Sequence, residues 1–204
     1  MFGAAAACTL LALGGAHVAR APAAATHGCS ARFFAGTKLL GPAALATTGT
    51  VGDELAGYRR TGSLTPRAFL ARYHDASGWV YPPHGGYVAG PGGEVEEARL
   101  DLYPGQDVDR YGSEYGTFLA PAGLPYAARS IPPQNLDGEP AAGCNYHEYR
   151  VERELAVEAG PIAPWFAQPG GGIQLQIVAT LIQDAPSTAN VAWLVANGYL
   201  RRIR

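Results

Sequence analysis

Glycine and proline, 27 and 16 residues, together fill about a fifth of the 204-residue chain. Each interrupts a helix, glycine through its backbone freedom and proline through its missing N–H. A chain so punctuated favours short strands joined by many turns over long helices, and the expected fold is β-rich. The length is that of one domain, or of one domain with a small subdomain, and it suffices to bury a hydrophobic core without a metal or a dense disulfide framework.

Charge narrows the partners. Only 16% of residues are charged and the net charge is −2. With no run of Lys or Arg, the chain lacks the electrostatic footprint of a nucleic-acid or anionic-membrane binder. An anionic ligand would have to be held by a few local arginines. Residues 1–25 are rich in Ala and Leu, contain no acidic residue, and offer Ala23-Ala24-Ala25 as a cleavage site. That stretch is predicted to be a signal peptide, although Met1-Phe2-Gly3 supplies no positive charge, and the product is expected to be secreted or at the cell surface. Removal of the leader takes Cys8 with it and leaves Cys29 and Cys144, a pair that can close one disulfide in an oxidising compartment or remain two free thiols. Beyond Cys8 no apolar stretch is long enough to span a bilayer.

Between residues 26 and 77 the clearest helical signal is Leu64 to Tyr73. Thr65 suits the N-cap and Pro66 the first helical position, while Phe69, Leu70 and Tyr73 share a face. A small helical N-terminal lobe is predicted there. The turn-rich passage from Tyr81 to Gly93 marks the approach to a main domain, placed at 78–204, in which the period changes to two. Strands are expected over Glu97–Tyr103, Tyr149–Val151 continuing into Leu155–Val157, and Ile173–Ile177. Near the end, Ser187 precedes a helical stretch carrying Val191, Leu194 and Val195, with Gly198 at the position of a C-terminal stop.

Several familiar chemistries are absent. Neither a P-loop nor a G-x-G-x-x-G fingerprint occurs. His147-Glu148 lacks the second histidine of a zinc-protease helix, since Val151 stands in its place. In Gly112-Ser113-Glu114-Tyr115-Gly116 the serine is second and not central, unlike a nucleophile elbow. The absence of any Cys-x-x-Cys excludes a four-cysteine metal site.

Five ordered blocks carry a resemblance: Gly78 to Gly86 (GWVYPPHGG), Asp109 to Leu119 (DRYGSEYGTFL), Leu124 to Pro133 (LPYAARSIPP), Tyr146 to Val151 (YHEYRV) and Ala159 to Gly172 (AGPIAPWFAQPGGG), with Leu194 to Arg202 after them. Together they resemble the tuberculosis necrotizing toxin domain family of NAD glycohydrolases, over about residues 78–203. Looser matches at Tyr58-Arg59-Arg60 and Gly62 to Pro66 resemble the lobe that precedes this domain in secreted fungal surface NADases. The resemblance implies an α+β fold, a β-rich palm-like core of antiparallel sheets with short helices behind a small helical lobe. It implies hydrolysis of NAD+ or NADP+, as substrate and not cofactor, to nicotinamide and ADP-ribose, without a catalytic metal. It raises a homodimer and a proteinaceous inhibitor as protein partners.

Nicotinamide leaves NAD as a neutral heterocycle, so its departure needs no general acid, and the paired carboxylates of ordinary glycosidases are unnecessary. The enzyme must hold the pyrophosphate, orient the ribose, stabilise an oxocarbenium-like transition state and admit water. By the resemblance Gln168 is the catalytic amide, Arg110 and Arg129 grip phosphate through forked guanidinium donors, and His147 stands near the active site; Glu114, the acidic residue nearest the Arg110 block, is a candidate to stabilise the ribosyl cation or bind ribose hydroxyls. Phe118 and Tyr111 are ring contacts, Trp165 and Phe166 wall the pocket, and Gly170 and Gly171 let ligand approach the backbone. Read without the resemblance, Gln168 is a turn residue, the aromatics are core, His147 is structural and Glu114 is an ion-pair partner of Arg110. Two other functions remain in view, ADP-ribosyl transfer to a protein, against which the lack of an E-x-E pair argues, and a non-catalytic NAD-binding surface protein. Only Asp184 stands near the terminus as a calcium ligand, so a calcium site of the kind carried by some fungal relatives is not expected.

Overall fold

The computed structural model describes residues 28–204. The proposed leader and Cys8 lie outside them. The N-terminal segment holds helix α1 (Gly49–Glu54), helix α2 (Pro66–Tyr73) and a hairpin of β1 (His74–Asp75) and β2 (Gly78–Trp79). Helix α2 forms as its sequence predicts: Thr65 Oγ1 accepts from Ala68 N at 3.2 Å, Pro66 opens the helix, and Phe69 and Tyr73 are buried. The hairpin straddles the boundary placed between 77 and 78.

A seven-stranded antiparallel sheet dominates the rest. Its strands are β3 (Ala98–Leu102), β4 (Asp107–Tyr111), β5 (Phe118–Pro121), β6 (Tyr146–Val151), β7 (Leu155–Pro161), β8 (Ile173–Gln176) and β9 (Leu200–Arg202), in the spatial order β3-β7-β8-β5-β4-β6-β9. Strands β3, β6, β7 and β8 fall where alternation predicts them. Strands β4, β5 and β9 are short pieces that the sequence reading passed over. The last helix, α3 (Val191–Ala196), is capped by Asn190, whose Oδ1 accepts from Trp193 N at 2.9 Å, and not by Ser187. Gly198, at φ +71°, follows it where a left-handed residue ends the helix.

Strand alternation sorts the sheet into two faces. Val108, Leu119, Tyr149, Val151, Val157 and Leu175 point to one side and form the main core with Leu194 and Tyr199 from the α3 end. Asp109, Tyr111, Phe118, Ala120, Gln174 and Gln176 take the opposite parity along their strands, with Phe118 registered to Gln176 and Asp109 to Ala120.

The N-terminal segment packs on that second side. One core cluster joins Leu55 and Ala46 to Tyr111, Tyr126, Leu136 and Tyr146; another joins Leu40, Phe69 and Tyr73 to Phe166. The Cys29–Cys144 disulfide ties the first described residues to the start of β6. Among the described residues no helix is long and apolar enough to cross a membrane.

Candidate active site

Strands β4 and β5 pair at only two positions, Val108 with Pro121 and Asp109 with Ala120. Past Asp109 they part, β4 continuing along β6 while β5 continues along β8. A cavity of about 430 Å³ opens at this split, within the range of small-molecule sites. Asp109, Arg110 and Tyr111 line it from β4, Phe118, Leu119 and Ala120 from β5, and Gln174 from β8, with Tyr81, Gly85, Gly86, Ser130 and Asn135 contributed by loops.

Arg110 spans the gap. Its Nε donates to Ser113 O at 2.6 Å and its Nη1 to Phe118 O at 2.7 Å, which leaves Nη2 as the nitrogen without an acceptor among the described residues. Gly116 makes room for this pose, because a Cβ there would stand 2.1 Å from Nη2. Burial lowers the Arg110 pKa, and the neighbouring Tyr149 and Glu114 oppose that shift. A half-buried guanidinium holding one spare donor is well suited to an anionic oxygen.

Arg129 is placed differently. Its side chain is 5% exposed and its guanidinium meets both oxygens of Asp109, while Nη2 also donates to Glu54 Oε2 at 3.0 Å and to Leu124 O at 2.7 Å. It lies 5.1 Å from the centroid of the Tyr111 ring. Arg129 lines the cavity from its floor, and the charge expected to grip phosphate is shared there by two buried carboxylates. Tyr111 belongs to the same floor. Its ring packs edge-on to Tyr126 at 4.9 Å and tilted to Tyr146 at 5.0 Å, which leaves it core with one edge on the cavity and not a stacking platform.

The glutamine assignment also changes. Gln168 does not line the cavity; its side chain is buried and its Nε2 donates to Arg59 O at 2.9 Å and to Phe166 O at 3.3 Å. It locks a tight turn, with Phe166 and Ala167 both at positive φ, onto the N-terminal segment. The glutamine at the cavity is Gln174, six positions later on β8, where its Nε2 donates to Gly85 O at 3.1 Å. Phe166 is buried among Phe69, Tyr73 and Trp79, and Trp165 stacks edge-on to Tyr73 while its indole donates to Val80 O. Neither walls the pocket. Gly170 is pressed against Ile162 and Ala163, and Gly171 also stands off the cavity; the glycines that line it are Gly85, Gly86 and Gly116.

His147 is the cross-strand partner of Arg110 but is not among the lining residues. Its Nε2 lies 3.3 Å from Asn145 Oδ1, and burial, then Arg202, lowers its pKa and favours the neutral ring. Glu114 accepts from Tyr149 Oη at 2.6 Å and pairs with Arg202, not Arg110. Burial works to raise its pKa, but the Tyr149 and Arg202 hydrogen bonds outweigh that and hold it low. Phe118 is where the sequence expectation puts it, on the cavity wall. Tyr81, Ser130 and Asn135 also line the cavity and are not among the residues expected from the sequence; Ser130, at φ +47°, opens a Ser-Ile-Pro-Pro passage whose prolines mark a turn.

The family model described as tuberculosis necrotizing toxin matches residues 101–203. A conidial surface nicotinamide adenine dinucleotide glycohydrolase of Aspergillus fumigatus is 39% identical over 176 residues, 84% of this chain and 71% of that protein. The chain belongs to the tuberculosis necrotizing toxin family. The alignment with the Aspergillus protein is too long to be supplied by residues 78–204 alone and so includes part of the N-terminal segment. Among solved structures, tuberculosis necrotizing toxin, complexed with its immunity factor, superposes with a TM-score of 0.51 at 24% identity, over 68% of this chain and 71% of that one. That likeness supports the shared β-rich α+β fold.

Proposed function

We propose that this chain is an NAD(P)+ glycohydrolase acting at the cell surface or outside the cell, and that the cavity at the β4–β5 split is its active site. The observation that carries the reading is the convergence there of a half-buried arginine, a phenylalanine ring and a strand-borne glutamine, in a relative of an enzyme named for this reaction. Arg110 Nη2 would meet a pyrophosphate oxygen. Phe118 would offer its ring to the nicotinamide. Gln174, whose amide both donates and accepts, would orient the ribose hydroxyls or the water.

In the reaction the bond between ribose C1′ and the pyridinium nitrogen breaks, and its electron pair neutralises the ring. Water oxygen then bonds to C1′ and releases a proton to solvent. No step needs a side-chain acid. The enzyme's task is to hold the ribosyl centre and steady its developing positive charge, which fits a pocket floor built from two carboxylates and one arginine.

Purified protein should release nicotinamide from NAD+, and Arg110→Ala should lower kcat/KM by roughly 10- to 150-fold, the weight of a charge-assisted hydrogen bond of about 1.5–3 kcal/mol. A folded wild type that binds NAD+ without turnover would refute the reading in favour of a binding protein. Radiolabel from NAD+ appearing on an acceptor protein would redirect it to ADP-ribosyl transfer.

A further inference from the structure

The pocket floor carries an unbalanced charge. Asp109 is fully satisfied: its oxygens take both terminal nitrogens of Arg129, Tyr146 Oη at 3.2 Å and Gly123 N at 3.1 Å. Glu54 is not. Among the described residues its Oε2 takes one hydrogen bond, from Arg129, while Oε1 and the Tyr111 hydroxyl have no partner at full hydrogen-bond geometry, although Tyr111 and Tyr146 stand close enough to the carboxylate to oppose the rise in its pKa. Two buried carboxylates share one guanidinium, and Glu54 holds the weaker claim on it. Asp109, Tyr111 and Arg129 all line the cavity, whereas Glu54 comes from α1, outside the stretch matched by the family model.

We propose that Glu54 is a positioning residue: acting through Arg129 and Tyr111, its carboxylate sets a net negative charge on the floor against which the ribosyl cation forms, and its protonation removes that charge. This rests on the reading of the cavity as an NAD glycohydrolase site. The groups facing Glu54 are Asp109 and Tyr111 from β4, Arg129 from the turn after β5, and Tyr146 from β6. Tyr126 packs edge-on against Tyr111 and against Tyr58, and it is under the charges of Arg129 and Arg60. Burial, reinforced by the charge of Asp109 and opposed by Arg129, pushes Glu54 up to about 7. The proton that enters the floor near neutral pH therefore goes to Glu54. An ionised floor favours a transition state more cationic at ribose, and a neutral floor forgoes that help.

The test uses the whole protein, as wild type, Glu54→Gln and Glu54→Asp, with nicotinamide release and thermal unfolding each followed from pH 5 to 9. Wild-type kcat should fall on the acid side with a midpoint near 7, and Glu54→Gln should give a kcat about tenfold lower at pH 8 that no longer changes across this limb, as expected for one charge acting at an effective dielectric of about 20. KM should stay within about threefold, and Glu54→Asp should restore a limb with a shifted midpoint. An acid limb that persists unchanged in folded Glu54→Gln overturns the proposal, and should that variant not fold, an unmoved midpoint in Glu54→Asp does the same. Stability reads Glu54 without activity. A raised folded pKa means the proton binds the native state more tightly, so this contribution is full below the unfolded value and is lost as pH rises through about 7. The wild-type-minus-Glu54→Gln difference in Tm should follow that slope. Inactive wild type with the slope present would refute the glycohydrolase reading, while active wild type with no slope would refute the role of Glu54.

Discussion

Gln168 and Gln174 can be separated by one pair of variants. Gln174→Ala removes an amide from the cavity wall and frees one carbonyl, that of Gly85, which stands at the same wall. The cost in stability is that of one ordinary hydrogen bond, about 1 kcal/mol. If the amide meets the reacting ribose or water, its loss removes a preorganised transition-state contact, for which about 10²- to 10³-fold in kcat is typical. Gln168→Ala does the reverse. It breaks two buried hydrogen bonds that tie the 165–168 turn to Arg59 and to its own backbone, for about 2–3 kcal/mol in total, or a drop in Tm of roughly 4–12 °C for a domain of this size. Its kcat, measured well below the new Tm, should stay within a few-fold of wild type. The assay is initial-rate nicotinamide release beside thermal unfolding. A Gln168→Ala protein that melts like wild type and has lost turnover, beside an active Gln174→Ala, would refute the placement of the chemistry on β8.

Two further outcomes test how the floor and the N-terminal segment are held. Loss of the Cys29–Cys144 disulfide by paired Ser substitution opens a loop of 115 residues, for which chain entropy gives about 5 kcal/mol as an upper figure; denaturant unfolding should show a midpoint lowered accordingly, and an unchanged midpoint would mean that the clusters around Tyr126 and Phe69 hold the segment unaided. Arg129→Met leaves Asp109 and Glu54 buried without a cation and should cost about 3–5 kcal/mol, whereas a residue serving only as a phosphate ligand would leave stability intact and raise KM alone.

Much of the fold was legible because its causes are local. Helix α2 is written in Thr65, Pro66 and the Phe69–Tyr73 spacing, and β3, β6, β7 and β8 follow from alternation over several residues. Strand β5 has four residues and β4 five, and β4 reads Asp-Val-Asp-Arg-Tyr, polar because it carries the floor carboxylate and the site arginine. An alternation whose polar positions face a functional cavity looks, in one dimension, like a surface loop. The helix α3 cap went to Asn190 and not Ser187 because Pro186 and the residues after it form a separate turn, with Ala189 N donating to Pro186 O. The boundary placed between 77 and 78 falls inside a hairpin whose two sides pair with each other.

The site was legible as a set of blocks but not as a set of side chains. Arg110 and Phe118 line the cavity because the block that contains them is the split itself. The Ala159–Gly172 block and the two residues after it contain two glutamines, Gln168 and Gln174, on opposite sides of a Pro-Gly-Gly-Gly turn, and a motif cannot say which of them a chain reversal presents to the ligand. The sheet can. Strand β8 begins at Ile173, and the period of two fixes Leu175 in the main core beside Leu119, so Gln174 must take the other face, the one that Phe118 shares through its register with Gln176. Gln168, ahead of the turn, has no such constraint and is captured by the carbonyl of Arg59 instead. The same logic divides the arginines: Arg110 sits where two strands part and its surroundings are backbone carbonyls, whereas Arg129 sits against two carboxylates, one of them delivered by a helix more than 70 positions earlier in the chain. Nothing in the local sequence around Arg129 announces Asp109 or Glu54, and it is these two carboxylates that occupy the guanidinium.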